Sequence, residues 1–126
     1  MKKLYSTIKH LGKHVIFDFW GCANLASAEV IEKMLKEAVS ACRATLLEIK
    51  IRTFLPNGGI SGIALIAESH ISIHTWPEHK YAAIDVFTCG KKVDPYLAIP
   101  VFKKYLKPKK AEIIDLDKVG FDTLYF

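Results

Sequence analysis

The centre of the chain, residues 68–90, is its richest stretch of chemically reactive side chains. Histidines, serines, carboxylates and one cysteine occur there within a few positions of one another, separated by apolar residues. Side chains of these types either bind a transition metal or supply a nucleophile together with the base that activates it. The spacing of the residues helps to choose between these two kinds of chemistry.

A zinc site is the first candidate, because imidazole and thiolate are the ligands that zinc prefers. His70 and His74 are four positions apart, which on a helix would place them on one face. The intervening sequence Ile-Ser-Ile favours a strand instead, in which the two histidines stand about 13 Å apart. His79 and Cys89 do not complete a recognisable ligand pattern. The sequence therefore predicts no metal site.

Cys89 is the second candidate, as a nucleophile activated by a nearby histidine. No local signature surrounds it, and an isolated cysteine is commonly a small buried hydrophobe. Spacing alone favours the packing role and leaves the catalytic one open. With Cys22 and Cys42 the cysteine count is odd and the spacings are wide, which predicts no disulfide framework and a cytoplasmic location.

The elements that must position these residues follow from hydrophobic periodicity. Residues 14–20 form a β-rich run that ends at Gly21. Ser27 is a candidate N-cap for a helix, because an apolar stripe at three- and four-residue intervals extends from there to Cys42. Residues 46–54 alternate between apolar and charged side chains, as a strand with one buried face does.

The second half of the chain continues this pattern. Residues 56–59 predict a turn, and the apolar run 60–67 predicts a buried strand that continues its alternation through residue 74. A strand at 81–88, a helix that opens at Asp94-Pro95 and is shortened or kinked at Pro100, and a last strand at 110–116 complete the order.

This order predicts an α+β fold of one domain, residues 1–126, built as a two-layer sandwich with an antiparallel sheet and both helices on one face. The other face of the sheet then lacks a cover of its own. We therefore expect a second copy of the chain to bury that face in a homodimer.

The composition bounds the class of protein. The net charge is +5, and lysines concentrate at 103, 104, 107, 109 and 110, which we interpret as a solvated helix end and not as a nucleic-acid site. No run approaches the roughly 20 apolar residues of a membrane span. The start Met-Lys-Lys-Leu is soon interrupted by polar residues such as His10 and Lys13, which predicts no signal peptide.

Two segments of the central region, residues 68–78 and 81–90, resemble the hallmark motifs of the prokaryotic S-adenosylmethionine decarboxylase proenzymes, the short bacterial and archaeal type. Gly12-Lys13-His14, Phe54-Leu55-Pro56 and Ile60-Ser61-Gly62 are similar to further elements of that family. The resemblance thus covers nearly the whole chain. The turn at 57–59 is a residue longer than the form expected, a departure that concerns the substrate loop and not the cleavage motif.

The resemblance implies that the chain cleaves itself. The Ser69 hydroxyl would attack the carbonyl of Glu68 to give an ester, and β-elimination would then release a β chain, residues 1–68. Residue 69 would become a pyruvoyl group at the start of an α chain, residues 69–126. His74 would be the base for elimination, a task that suits an imidazole because its pKa lies near neutrality. Ser61 would stabilise or position the intermediate.

The resemblance also implies the roles of residues in turnover. The pyruvoyl group would form a Schiff base with the substrate and accept its electrons, replacing pyridoxal phosphate, and Cys89 would reprotonate the α carbon. Phe54 and Trp76 would contact the adenine and sulfonium, and Glu78 the ribose. The product, decarboxylated S-adenosylmethionine, would serve spermidine synthesis.

Two alternatives stay open from the sequence. A pyruvoyl-dependent decarboxylase of arginine or a related amino acid would share the residues of the cleavage motif. A non-catalytic, basic nucleic-acid-binding α+β domain is the alternative from a different class, and it would keep the chain intact.

Overall fold

The computed structural model describes residues 11–119 and 124–125. The amino-terminal segment, whose polar interruptions predicted no signal peptide, begins outside the described residues. In chain order the elements are β1 Gly12–Trp20, α1 Ala28–Ala41, β2 Leu46–Phe54, β3 Gly59–Ile66, β4 Ser69–Trp76, β5 Tyr81–Cys89, α2 Ile99–Leu106 and β6 Lys110–Asp115. Single turns of 3-10 helix lie at Pro77–His79 and Pro95–Ala98.

The six strands form one antiparallel sheet in the order β2-β3-β4-β5-β1-β6. Both helices pack on the same face of this sheet, and the core lies between the two layers. Phe102 of α2, for example, contacts Phe17 and Phe19 of β1, with ring centroids 5.5 and 6.1 Å away. The predicted two-layer α+β sandwich is therefore confirmed.

The strand prediction for residues 60–74 was wrong in one respect, because this run is two strands and not one. The chain reverses at Ala67-Glu68, and Ile66 pairs directly with Ser69 across the turn. Alternation continues on both sides of the reversal, so the hydrophobic pattern does not reveal it. The consequence is that the Glu68–Ser69 bond lies at the tip of a hairpin and not inside a strand.

Helix α1 begins where its capping residue predicts, whereas α2 begins at Ile99 and not at Pro95 as predicted, so Pro100 lies in its first turn and does not kink it. The Ser27 hydroxyl accepts a hydrogen bond from the N–H of Val30, 3.2 Å away, and thereby caps α1. Asp94 caps the segment before α2 in the same way, but its first turn is 3-10 helix. Pro100 is accommodated near the start of α2, where its missing N–H leaves no helical hydrogen bond unmade. None of the helices in the described part of the chain is long and apolar enough to cross a membrane.

The sheet face turned away from the helices, here called the open face, carries polar and aromatic side chains. His70, Ser72 and His74 alternate along β4 with the buried residues Ile71 and Ile73. Apolar side chains are exposed on the same face, among them Leu65 at 39%, Ile114 at 37% and Trp76 at 41%. The open face therefore holds most of the residues whose chemistry the sequence singled out.

Candidate active site

A pocket of about 280 Å³ opens where β3 and β4 meet the turn after β2. It gathers residues that the sequence analysis placed in substrate binding and in self-cleavage: Phe54, Ser61, His74, Trp76 and Glu78. Ser61 and His74 are directly opposite in the β3–β4 pairing, and the Ser61 Oγ lies 2.9 Å from His74 Nδ1. The hydroxyl and the imidazole are therefore within hydrogen-bond distance, as proton transfer by a catalytic histidine requires of its partner.

Aromatic rings extend from this pocket along the open face. Trp76 lies against Tyr81, and Tyr81 against Trp20, with 5.4 Å between the ring centroids in both pairs. The Tyr81 hydroxyl donates to Asp18 at 2.6 Å, and burial together with this carboxylate raises the pKa of Tyr81 to about 12. The three rings are thus held in place and offer a flat apolar surface beside the pocket.

Ser69 has an unusual backbone conformation. Its φ is +141°, a value that residues other than glycine rarely adopt and that costs on the order of 1–3 kcal/mol. The carbonyl oxygen of Glu68, immediately before it, accepts a hydrogen bond from the N–H of Cys89 at 2.9 Å. The peptide bond between Glu68 and Ser69 is therefore both strained and polarised by a donor on its carbonyl.

The Glu68 side chain is held by Thr45, the residue just before β2. One carboxylate oxygen accepts from the Thr45 N–H at 3.0 Å and the other from the Thr45 hydroxyl at 3.3 Å. The N–H bond is the main reason that the pKa of Glu68 lies below its usual value. Thr45 also accepts a hydrogen bond from the N–H of Ala67 at 2.9 Å, so it contacts both residues of the turn.

A buried hydroxyl and an exposed thiol complete the surroundings of Ser69. Thr88 is directly opposite Ser69 in the β4–β5 pairing, and its fully buried hydroxyl has no hydrogen-bond partner among the described residues. Cys89 is exposed, whereas Cys22 and Cys42 are buried and desolvation raises the pKa of both to about 11. The thiol best placed to exchange a proton with a ligand is therefore that of Cys89.

The structure divides the residues of the cleavage motif into two groups. Glu68, Ser69 and Cys89 are together at one end of β4, whereas Ser61 and His74 lie in the pocket at its other end. Ser69 and His74 are five positions apart along the strand, a distance of about 16 Å. Within one chain, His74 does not reach Ser69.

Sequence reasoning missed a cluster at the middle of the open face. His14 on β1 and His70 on β4 flank Asp85 on β5, with their Nε2 atoms 2.6 and 3.0 Å from the same carboxylate oxygen. Ser72 donates to the other oxygen of Asp85. Burial raises the pKa of Asp85, but the hydrogen bonds from Ser72, His70 and His14 outweigh it and hold the pKa below its usual value.

No local pattern could have revealed this cluster, because it requires the strand order β4-β5-β1. The three potential ligand atoms of His14, His70 and Asp85 lie within 4.8 Å of one another, close enough to hold a metal ion. Hydrogen bonds to Asp85 account for the same arrangement without an ion. The pair that the sequence analysis considered as metal ligands, His70 and His74, both lie on β4, His70 in this cluster and His74 in the pocket.

The chain is similar to known proteins over most of its length. The family model described as S-adenosylmethionine decarboxylase matches residues 13–119. A protein of Methanococcus maripaludis called S-adenosylmethionine decarboxylase proenzyme is 52% identical over 113 residues, which cover 88% of this chain and 92% of the relative. A protein of the same name from Thermomicrobium roseum is 45% identical over 111 residues, covering 88% and 96%.

A solved structure gives the same result for the fold. The crystal structure of the adenosylmethionine decarboxylase from Aquifex aeolicus is similar with a TM-score of 0.74 and 37% sequence identity, over 86% of this chain and 90% of that one. The match to the family model spans every strand and helix that the structure describes except the first residue of β1. This chain belongs to the S-adenosylmethionine decarboxylase family.

Proposed function

We propose that this chain is a carboxy-lyase that removes the carboxylate of S-adenosylmethionine with a pyruvoyl group made by self-cleavage between Glu68 and Ser69. The observation that carries the proposal is the strained Ser69, with φ +141°, behind a carbonyl that already has a hydrogen-bond donor. The relatives are named proenzymes, which is consistent with a chain that is cut before it works.

Cleavage starts with attack of the Ser69 oxygen on the carbonyl carbon of Glu68. As the C–O bond forms, the C–N bond breaks and the hydroxyl proton passes to the nitrogen, so that an ester replaces the amide. The Cys89 N–H, 2.9 Å from the Glu68 oxygen, stabilises the negative charge that develops on this oxygen. Strain at Ser69 raises the energy of the amide and favours its loss.

A base then removes the α proton of residue 69, and the Cβ–O bond breaks. Glu68 leaves as the carboxyl terminus of the β chain, with both oxygens, and residue 69 becomes dehydroalanine. Addition of water and loss of ammonia give the pyruvoyl group. His74 is the base, and Ser61, 2.9 Å from its Nδ1, orients the imidazole.

The surroundings of Ser69 fit a carbonyl group at this position. The buried Thr88 hydroxyl directly across the strand pair is without a partner among the described residues and offers a hydrogen bond. The pyruvoyl group supplies an electron sink, so the reaction needs neither pyridoxal phosphate nor a metal ion. The chain's own residues bind the substrate, orient it and supply a proton.

The pocket at the far end of β4 is the substrate site in this proposal. Trp76 and Phe54 provide aromatic faces for the adenine and the sulfonium, and the Glu78 carboxylate accepts hydrogen bonds from ribose hydroxyls. The guanidinium of Arg52 lies 5.7 Å from the centre of the Phe54 ring, so the ring already binds one cation by its face. Carboxylates near the pocket must compensate the net charge of +5 to attract a cationic substrate.

Two copies of the chain are needed to complete the site. His74 and Ser69 are about 16 Å apart along β4, so a twofold axis near the middle of the strand brings the His74 of one copy to the Ser69 of the other. The exposed apolar side chains Leu65, Ile114 and Trp76 favour burial of the open face in such a homodimer. The symmetry yields two identical composite sites.

The product, decarboxylated S-adenosylmethionine, is an aminopropyl donor, which assigns the chain to spermidine biosynthesis. Three free thiols are consistent with a reducing, cytoplasmic location.

The purified protein tests the proposal directly. Mass spectrometry should find residues 1–68 and residues 69–126 as separate chains, the second lighter by one ammonia than simple hydrolysis would leave it. Carbon dioxide should be released from S-adenosylmethionine and not from arginine. Release from arginine alone would make the chain an arginine decarboxylase, and an intact chain that releases carbon dioxide from neither would refute the enzyme proposal.

Cys89→Ala should separate cleavage from turnover. Cleavage should continue, because the group that Cys89 contributes to the Glu68 carbonyl is its backbone N–H, which alanine retains. The value of kcat should fall by about a hundredfold, as on loss of a general acid. The measurement compares carbon dioxide release per cleaved chain in the two proteins. Full activity of Cys89→Ala would show that the thiol has no role in decarboxylation. An uncleaved chain would show that the thiol is needed for self-cleavage.

A further inference from the structure

We infer that Thr45 is a positioning residue for self-cleavage, because it clamps the Glu68 carboxylate and thereby holds the strained Glu68–Ser69 bond in its reactive geometry. The inference rests on the proposed self-cleavage. It concerns a residue outside the central motif, just before β2.

The turn itself does not account for the conformation of Ser69. Two-residue hairpin turns are favoured when both turn residues have positive φ, and glycine or asparagine then occupies them. Here the turn is Ala67-Glu68, and it is Ser69 that has the positive φ. An arrangement of this kind relaxes unless neighbouring groups hold it.

Thr45 provides that restraint from outside the hairpin. Its carbonyl accepts from Ala67 N–H at 2.9 Å, its N–H donates to Glu68 Oε1 at 3.0 Å, and its hydroxyl donates to Glu68 Oε2 at 3.3 Å. On the other side, the Cys89 N–H binds the Glu68 carbonyl. Glu68 is therefore fixed by its side chain and its backbone at once, and the attack of Ser69 meets a carbonyl that does not move.

Thr45 is itself anchored to the helix layer. It follows the turn that ends α1, in which Arg43 has φ +65° and the Ala44 N–H donates to the Val39 carbonyl at 3.0 Å. The clamp thus connects the scissile turn to α1 and not only to the neighbouring strand. After cleavage the same contacts hold Glu68, now a chain end, beside residue 69.

The ionised carboxylate is the form that accepts both hydrogen bonds. The Thr45 N–H lowers the pKa of Glu68, so the clamp is complete above the usual pKa of a glutamate and weakens as the pH falls through the lowered value. Near neutral pH the clamp is fully formed.

Thr45→Val tests the clamp, because valine keeps the shape and the N–H and removes the hydroxyl. The proenzyme is made by cell-free translation, and cleavage is followed over time by mass spectrometry. Cleavage should slow by about three- to tenfold, the scale of one ordinary hydrogen bond, because this bond is exposed and 3.3 Å long, and Thr45→Ser should restore it to within about twofold. Thr53→Val, the same change at the other end of β2, should cleave like the wild type.

Further readouts separate positioning from general stability. The melting temperature of Thr45→Val and its kcat per cleaved chain should stay unchanged. Hydroxylamine cuts an ester but not an amide at neutral pH, so hydroxylamine-induced cleavage, which reports the first step alone, should slow by the same factor. Glu68→Ala, which removes both side-chain hydrogen bonds, should cleave more slowly than Thr45→Val.

The outcomes distinguish the two proposals. If Thr45→Val and Glu68→Ala cleave as fast as the wild type, the clamp is overturned and the proposed self-cleavage still stands. Equal slowing in Thr45→Ser and Thr45→Val would also overturn it, because the hydroxyl would then be irrelevant. A wild-type chain that never cleaves would overturn the proposed function itself.

Discussion

Ser69→Ala is expected to give an intact chain of about the full 14.2 kDa, with decarboxylation lowered more than about a thousandfold. Alanine has no hydroxyl to attack the Glu68 carbonyl, so no ester forms and no bond breaks. The variant also lacks the atoms from which a pyruvoyl group is made, and without this electron sink the carbanion left by carbon dioxide is not stabilised. Mass spectrometry and carbon dioxide release measure the two losses separately.

A matched serine gives the control for this experiment. Ser40→Ala changes an exposed serine on α1, on the opposite side of the sheet from the open face, and should leave cleavage and activity as in the wild type. The fold of Ser69→Ala should persist, because Thr45 and Cys89 still bind Glu68. Cleavage of Ser69→Ala at the same bond would contradict a mechanism in which the serine oxygen is the nucleophile.

Local signals in the sequence predicted the elements well. The Ser27 cap, the apolar stripe of α1 and the alternation of β2 each depend on neighbours within a few positions, and the structure forms α1 with its cap and β2 over the predicted residues. The predicted buried face of β2 is only half-buried, at Ile49 and Ile51, and Leu47 is 66% exposed, because β2 is an edge strand. The layer arrangement followed, because helices and strands with one apolar side must bury it against each other. The resemblance of residues 68–90 identified the family that the comparisons then showed.

The hairpin at Ala67-Glu68 was not predictable in the same way. Neither turn residue is a glycine, proline, asparagine or aspartate, so the usual turn signal is absent. The reversal is imposed by pairing of β3 with β4 and by the contacts of Thr45, which lies more than twenty positions earlier in the chain. Tertiary contacts therefore place the Glu68–Ser69 bond at a strained turn.

Two other features of the site depend on how the strands are arranged and not on how close their residues are in the sequence. His14 and Asp85 are 71 positions apart and meet only because β1 inserts beside β5. Ser69 and His74 show the opposite case, since they are close in sequence yet stand at the two ends of one strand. Closeness in the motif thus does not imply contact in the fold, and this separation is the reason that we propose a second copy of the chain at the site.

Mixed dimers of two inactive variants provide the sharpest expectation. Ser69→Ala and His74→Ala chains, each uncleaved when expressed alone, should restore cleavage when they are expressed together. In a mixed pair the Ser69 of the His74→Ala chain meets the intact His74 of its Ser69→Ala partner, and the other site lacks both groups. With random pairing of equal amounts, about half of the His74→Ala chains should cleave, and none of the Ser69→Ala chains.

Co-expression of the wild type with a double variant gives the control for this experiment. The double variant carries both Ser69→Ala and His74→Ala, is tagged, and is co-expressed in excess with the wild type. It should protect the wild-type chain from cleavage, because the Ser69 of the wild-type chain then faces an alanine at position 74 of its partner. Hydroxylamine should still cut such chains, since only elimination and not ester formation depends on His74. If the wild-type chain cleaves normally beside the double variant, and the two single variants do not complement each other, His74 acts within its own chain. That result would require β4 to bend so far that its two ends approach, in place of the extended strand from Ser69 to Trp76.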